Sequence, residues 1–270
     1  MIEITSLKND KIKLIEKLKN KNKRDKYKLF LIEGYREISR AIEANVAFDS
    51  LYISNELFLG SNEDALIDKF ENKNIQIFKL KKEIFEKISY RDRPDGLLAI
   101  AKQKQEGIEE LENILKNKKN PFLLAIESIE KPGNLGSILR SSDAAKIDCV
   151  IVCDPKTDIF NPNVVRSSIG TLFTQKVIIA NSTDVIDLLE KNNINIIATT
   201  PNCNKYYTQI DLTLPICIVM GSEQYGLSDK WLNEKSIKVK LPMRGKADSL
   251  NVAAATTIML YETLRQRKLF

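Results

Sequence analysis

Three polar stretches carry the groups that could do chemistry. The first is KPGNLGSILRSSDAA (Lys131–Ala145), a glycine-containing loop entering a helix, with Asn134 near its start and Arg140 further along. The second is GSEQYGLSD (Gly221–Asp229), where Gly221 and Gly226 flank Glu223. The third is LPMRGKADSLN (Leu241–Asn251), which brings Ser249 and Asn251 to the start of a long helix. Amide, hydroxyl and carboxylate groups at a helix N-terminus suit a polar or anionic ligand. Arg140 lies on the same helix as Asn134, and a guanidinium stays protonated in proteins. Taken singly, Ser249 also reads as a helix cap, Asn251 as a loop tie and Glu223 as an acceptor for loop N–H groups.

Some chemistries are excluded at once. The chain has no histidine, which removes imidazole catalysis and any Cys/His zinc site. Its four cysteines, Cys149, Cys153, Cys203 and Cys217, form no C-x-x-C pair and read as core thiols of a reduced compartment. No metal signature, dinucleotide fingerprint or P-loop occurs.

The elements that must hold these stretches come from hydrophobic periodicity. In the C-terminal half the apolar runs Phe122–Ile126, Cys149–Cys153, Gln175–Ile179, Ile194–Thr199, Ile216–Met220 and Ile237–Leu241 read as strands. Helices stand between them, including a short one in Asn161–Leu172 with Arg166 and Ser168, and another that Ser228 would cap. The last helix, Val252–Tyr261, is apolar or small nearly all round, with Asp248 or Ser249 as its expected cap. In the N-terminal half, a helix from Ser6 to about Arg24 precedes the strand Leu29–Gly34. Strands and helices then alternate through Ala101, which implies a small α/β sandwich. Glu33 and Arg36 are its candidate polar groups, although a lone charge after a strand is more often a cap or a surface ion pair. The polar stretch 104–119 reads as a linker between domains 1–103 and 120–270.

At 270 residues, with 43% hydrophobic and 29% charged residues, the chain can fill a sizeable core. The net charge is +6, yet Lys8–Lys28 alone holds nine Lys and one Arg against three acids. The excess is thus confined to one segment, including Lys23 and Arg24, which reads as a nucleic-acid surface or a solvated helix face. No apolar run approaches membrane length and no signal-peptide core opens the chain, so a cytoplasmic protein is expected.

In this order, NLGSILRSSDAA, IVMGSEQYGLS and LPMRGKADSLNVAAATTIMLYE resemble the three motifs of the SpoU (TrmH-type) RNA ribose methyltransferases of the SPOUT superfamily. FLIEGYREISRAIEANVAFDSLYIS resembles the family's N-terminal substrate-binding domain, which is related to RNA-binding ribosomal proteins. The resemblance implies a C-terminal α/β domain with a deep trefoil knot, a homodimer through that domain, and S-adenosylmethionine as cofactor. It implies 2′-O-methylation of a ribose in structured RNA, rRNA first and tRNA as an alternative. A non-catalytic RNA-binding or ribosome-assembly protein on the same fold is the rival reading. By the same resemblance Thr199, Thr200, Gly221, Leu241, Met243 and Leu250 hold the cofactor, largely through backbone groups. Arg140 acts on the 2′-hydroxyl, Asn134, Glu223 and Asn251 shape the site, and Ser249 holds the nucleotide. Arg166 and Ser168 would face substrate or a partner subunit.

Overall fold

The computed structural model describes residues 1–269. In chain order the first elements are β1 (Ile2–Ile4), α1 (Asp10–Leu18), α2 (Lys21–Tyr27), β2 (Leu29–Glu33), α3 (Tyr35–Glu43) and β3 (Phe48–Ile53). Then come α4 (Glu63–Asn72), β4 (Gln76–Leu80), α5 (Lys82–Ile88) and β5 (Leu97–Lys102). The stretch 104–119, expected as a linker, contains α6 (Ile108–Asn117). After it follow β6 (Phe122–Glu127), α7 (Pro132–Ala144), β7 (Cys149–Cys153), α8 (Pro162–Ser167) and α9 (Thr171–Thr174). The chain continues with β8 (Val177–Ala180), α10 (Ser182–Lys191), β9 (Asn195–Thr199), β10 (Ile216–Met220), β11 (Ile237–Val239) and α11 (Val252–Gln266).

The chain folds as two units. One comprises Met1–Lys104 with Asp158–Thr174; the other comprises Gln105–Thr157 and the chain from Gln175 onward. The segment with α8 and α9 is therefore built into the first unit. The reason is visible at its ends: Phe30 packs against Phe160, ring centroids 4.6 Å apart, and against Phe173 at 5.9 Å.

The first unit has a mixed sheet of order β1-β4-β3-β5-β2. Strand β5 runs antiparallel to both β2 and β3, while β4 lies parallel to β1 and β3. Ile12, Ile15 and Leu18 of α1 pack with Leu31, Tyr52, Phe78 and Phe85 in its core. The single helix expected from Ser6 to Arg24 is two helices. Asn9 caps α1 by accepting from Lys11 N–H at 2.9 Å, and Asn20 caps α2 by accepting from Asn22 N–H at 2.9 Å. Short Asn side chains compete with the helix ladder, so a second cap in mid-run ends the first helix. Arg24 then folds back and donates to the carbonyls of Leu18 and Lys19 at the end of α1, both at 2.9 Å.

The second unit is a six-stranded parallel sheet of order β11-β9-β10-β6-β7-β8. Parallel sheets are covered on both faces, which is why β6, β7 and β10 are buried along their whole length. Side chains alternate across the sheet. One face (Leu123, Ala125, Cys149, Ile151, Cys217 and Val219) packs on Leu111 and Leu115 of α6, on α10 through Val185 and Leu189, and on Trp231. Thus the polar run 104–119 contributes core residues, its short apolar stripe being enough for one amphipathic helix. Helices α7 and α11 lie against each other, tied by the Ser141 and Thr257 hydroxyls at 2.7 Å. The helix expected after Ser228 is a turn instead, in which the Ser228 carbonyl accepts from Trp231 N–H at 3.1 Å.

Candidate active site

Strand order in the second unit reverses at β6, whose neighbours are β7 on one side and β10 on the other. In open parallel sheets ligands bind beyond the carboxyl ends of strands near such a point. A cleft of about 590 Å³ lies there, beyond the ends of β9, β10 and β11. Its walls include Thr199, Thr200, Gly221, Leu241, Met243 and Leu250, together with Asn134, Glu223, Ser249 and Asn251. Ten of the residues singled out in the sequence therefore line one space.

The polar groups form a chain of hydrogen bonds. Asn134 Nδ2 donates to Glu223 Oε1 at 2.6 Å, and Asn251 Nδ2 donates to Asn134 Oδ1 at 3.0 Å. Asn251 Oδ1 in turn accepts from Ala253 N–H at 2.9 Å and Ala254 N–H at 3.4 Å. Asn251, and not Asp248 or Ser249, is thus the cap of α11. Those two residues lie too early in the chain, and Asn251 has the extended backbone that a cap needs. Glu223 also accepts from Glu130 N–H at 3.2 Å and Lys131 N–H at 3.4 Å. Burial acts to raise its carboxyl, but the Asn134 amide, its own backbone N–H and those of Glu130 and Lys131 outweigh burial. Together they hold it below the usual carboxylate range. An acid held ionised and filled with donors orients its neighbours; it does not serve as a general base.

Gly221, a wall of the cleft, is also needed by the turn that it opens. A Cβ there would meet Gly226 C at 2.1 Å and Leu227 N at 2.3 Å. The turn closes on it through Ser222 N–H to Gly226 O at 2.9 Å and Gly226 N–H to Ser222 O at 3.1 Å. The glycine is required by the turn, with Gly226 at φ +69°. Sequence reasoning missed Glu127, at the end of β6. It accepts from Ser228 N–H at 2.8 Å, from Ser228 Oγ at 2.7 Å and from Ser182 Oγ at 3.1 Å, anchoring the far end of the same turn. An acid closing an apolar strand was its only signal. Pro201 and Asn202 are further walls that no sequence pattern marked, and Lys131 and Tyr225 are walls from within two of the polar stretches.

Arg140 is not among the cleft walls. It stands exposed on α7, on the stripe Gly133, Ser137, Arg140, Ala144, and has no hydrogen bond or ion pair among the described residues. In the first unit, Lys23 is exposed, and Arg166 is exposed with a 3.3 Å bond to Asn163 Oδ1. Arg24, expected on a nucleic-acid surface or solvated face, and Ser168, expected to face substrate or a partner subunit, are buried instead. Arg24 is only 1% exposed and pairs with Asp158 at 2.7 Å, so its fork is spent inside the fold. Ser168 is 0% exposed and donates to Val165 O at 2.9 Å. Both look like surface residues in the sequence because a helix face cannot be assigned without knowing what packs on it.

The cleft has the character that a nucleoside-bearing cofactor needs. Apolar walls from Met220, Leu241, Leu250, Val252 and Ala255 face polar groups from Asn134, Glu223 and Asn251. Thr199 Oγ1 is enclosed without a hydrogen-bond partner, so Thr199 offers the cleft its backbone and not its hydroxyl.

Fold and site define a two-unit α/β protein with a ligand cleft at the switch point of a parallel sheet. Comparison with known proteins makes this specific. Residues 121–261 match the SpoU rRNA methylase family, and residues 9–99 match the MRM3-like substrate binding domain. The chain belongs to the SpoU rRNA methylase family. It is 30% identical over 258 residues to a 23S rRNA (uridine(2479)-2′-O)-methyltransferase of Streptomyces viridochromogenes, covering 93% of this chain and 87% of that one. It is 27% identical over 261 residues to the Bacillus subtilis 23S rRNA (guanosine(2553)-2′-O)-methyltransferase, covering 97% and 98%. Among solved structures, the AdoMet-bound rRNA methyltransferase of Sinorhizobium meliloti superposes with a TM-score of 0.86 at 28% identity, covering 97% of each chain.

Proposed function

We propose that this chain transfers a methyl group from S-adenosylmethionine to the 2′-hydroxyl of a ribose in rRNA. The observation that carries this reading is the cleft itself. It gathers Thr199, Thr200, Gly221, Leu241, Met243 and Leu250 around the Glu223–Asn134–Asn251 network. The bound cofactor supplies an electrophilic methyl on a sulfonium, with a neutral thioether as leaving group. The chain's own residues position the nucleophile. Asn134 is locked by Glu223 on one side and Asn251 on the other, so its amide is held in one orientation. Ser249, exposed on the rim of the cleft, is the group assigned to hold the nucleotide. Arg140 stays protonated and stabilises the negative charge that develops on the 2′-oxygen as its proton passes to water.

On this reading the first unit grips RNA, and the second unit, α6 included, forms a methyltransferase domain with a deep trefoil knot. Likeness to SpoU structures supports the knot. The protein works as a homodimer through α7 and α11. Along α11, Ala254, Ile258, Tyr261 and Arg265 make an exposed stripe, with Ile258 at 36% and Tyr261 at 46% exposure, next to the α7 stripe that carries Arg140. Pairing through this face takes Arg140 to the partner's cleft, which accounts for its absence from its own. The cytosol is the compartment, in keeping with free thiols at Cys149, Cys153 and Cys217.

The experiment is transfer of labelled methyl from S-adenosylmethionine to total rRNA and tRNA, followed by nuclease digestion to the nucleoside. Label on a 2′-O-methylated rRNA nucleotide is the expected result; label on a base, only on tRNA, or on neither overturns the reading. Mixing Arg140→Ala and Asn251→Ala chains restores activity if Arg140 acts across the dimer.

A further inference from the structure

The turn that closes the cleft carries one large side chain with no structural task. Tyr225 is a wall of the cleft and is 77% exposed, whereas the other exposed tyrosines, Tyr27, Tyr90, Tyr206 and Tyr261, lie between 39% and 46%. Tyr27 and Tyr206 each carry a lysine ammonium over the ring, at 5.9 and 5.2 Å from its centre, and Tyr90 Oη accepts from Asn163 Nδ2 at 2.7 Å. Among the described residues no ring, cation or hydrogen-bond partner meets the Tyr225 side chain. A lone exposed aromatic is ordinary on a protein surface. This one stands at the mouth of the cleft, on a locked turn.

Its backbone is fixed from within the turn. Tyr225 N–H donates to Ser222 Oγ at 3.1 Å, inside the pair of bonds that joins Ser222 and Gly226. Glu223, two residues before it, is held in turn by Asn134, Glu130 and Lys131. Two residues span at most about 7 Å, so the tyrosine starts within a side chain's reach of the Glu223–Asn134–Asn251 network. The chemistry of a nucleotide makes that distance meaningful. In ribose, the carbon bearing the 2′-hydroxyl is bonded to the carbon bearing the base. Wherever the network receives the hydroxyl, the base lies beside it. Leu250, 40% exposed, adds a second apolar group to the same cleft.

We propose that Tyr225 is the stacking platform for the base of the nucleotide whose ribose is methylated. A ribose that enters a cleft takes its base out of the RNA stack, and unstacked bases are held on aromatic faces. Every base has such a face, so Tyr225 contributes grip on the target nucleotide and not a choice among bases. The cofactor's adenine is the other flat group in the cleft. The apolar walls suited to it, Met220 and Val252, are buried, whereas a ring left open to solvent suits the partner that arrives from solvent. The proposal rests on the reading of the chain as a ribose methyltransferase and adds a positioning residue to it.

The test is steady-state methyl transfer to rRNA by the full chain. Tyr225→Ala is expected to raise KM for rRNA about ten- to hundredfold and to leave kcat within about twofold, the pattern of a lost binding contact. Tyr225→Phe keeps the ring and is expected to keep the wild-type KM, and calorimetry is expected to show unchanged S-adenosylmethionine binding by both variants. The second arm uses a synthetic rRNA fragment spanning the nucleotide that the labelling experiment locates, made with that nucleotide or with 1-deoxyribose in its place. The replacement keeps the 2′-hydroxyl and lacks the base. The wild type is expected to lose on it the factor that Tyr225→Ala loses on the intact fragment, and Tyr225→Ala is expected to treat the two fragments alike. A wild-type KM for Tyr225→Ala, a loss that Tyr225→Phe shares, weakened S-adenosylmethionine binding, or losses that add in the second arm overturns the proposal and leaves ribose methylation standing. A wild type that transfers no methyl to rRNA takes down both.

Discussion

Glu223 shows how a single acid is tuned for positioning. Its hydrogen-bond donors hold the carboxyl below the usual carboxylate range, so it is ionised at neutral pH in both folded and unfolded chains. Because the folded value is the depressed one, the stabilisation is fully present above the unfolded pKa, about 4.3, and is lost as pH falls through the lower folded one. Glu223→Gln is therefore expected to be less stable than wild type at pH 7. The gap in unfolding midpoint should close as pH drops below about 4; a gap independent of pH would show that charge is not what Glu223 contributes. The cysteines separate by burial. Burial pushes the thiols of Cys149, Cys153 and Cys217 well up, whereas Cys203 is half-buried, with Sγ near Thr200 O at 3.5 Å. In the native protein at pH 8 a thiol reagent is expected to label Cys203 alone, and all four only after unfolding. S-adenosylmethionine is expected to slow that reaction, because Thr200, Pro201 and Asn202 are cleft walls.

Among the elements, α2 is the one whose role changed most between sequence and structure. Its lysines point to solvent while Arg24 points inward, bridging the carbonyls at the end of α1 and Asp158, whose side chain is 7% exposed. Arg24→Ala leaves that carboxylate buried and unpaired, which costs about 3–5 kcal/mol. Denaturant unfolding monitored by circular dichroism is expected to show the loss. Arg24→Ala with Asp158→Ala is expected to recover part of it, since no unpaired charge then remains. The same pair explains why α8 and α9 are built into the first unit: Asp158 opens that segment, and Phe160 follows it against Phe30. At the other end of the chain, α11 begins where Asn251 caps it. Val252, Ala255 and Met259 are buried, with Ile258 and Tyr261 left exposed.

For the whole molecule, the expectations are RNA affinity from the first unit and pairing from the second. Lys21, Lys23, Lys26 and Lys28 are exposed on and just after α2. Replacing them together by Gln is expected to weaken RNA binding and to flatten its salt dependence, by about 0.7–0.9 log units for each phosphate that the variant no longer neutralises. An unchanged slope would move the RNA off this face. Ile258→Arg and Tyr261→Glu, made separately, are expected to shift the protein from dimer to monomer in sedimentation at micromolar concentration. A variant that stays dimeric places that side chain outside the interface.

The strands of the second unit were legible because a parallel sheet buried on both faces must be written as continuous apolar runs, as in β6, β7 and β10. The cleft-lining residues were legible because three separated motifs resemble those of one family in order, spacing and residue type. Tertiary structure alone decided what depends on packing partners. It turned Arg24 and Ser168 inward and placed Leu111 and Leu115 of a polar stretch in a core. It also left Arg140 outside its own cleft. Local sequence sets the period and the capping options. Which side of a helix meets protein, and which charge meets another, is set by residues far away along the chain.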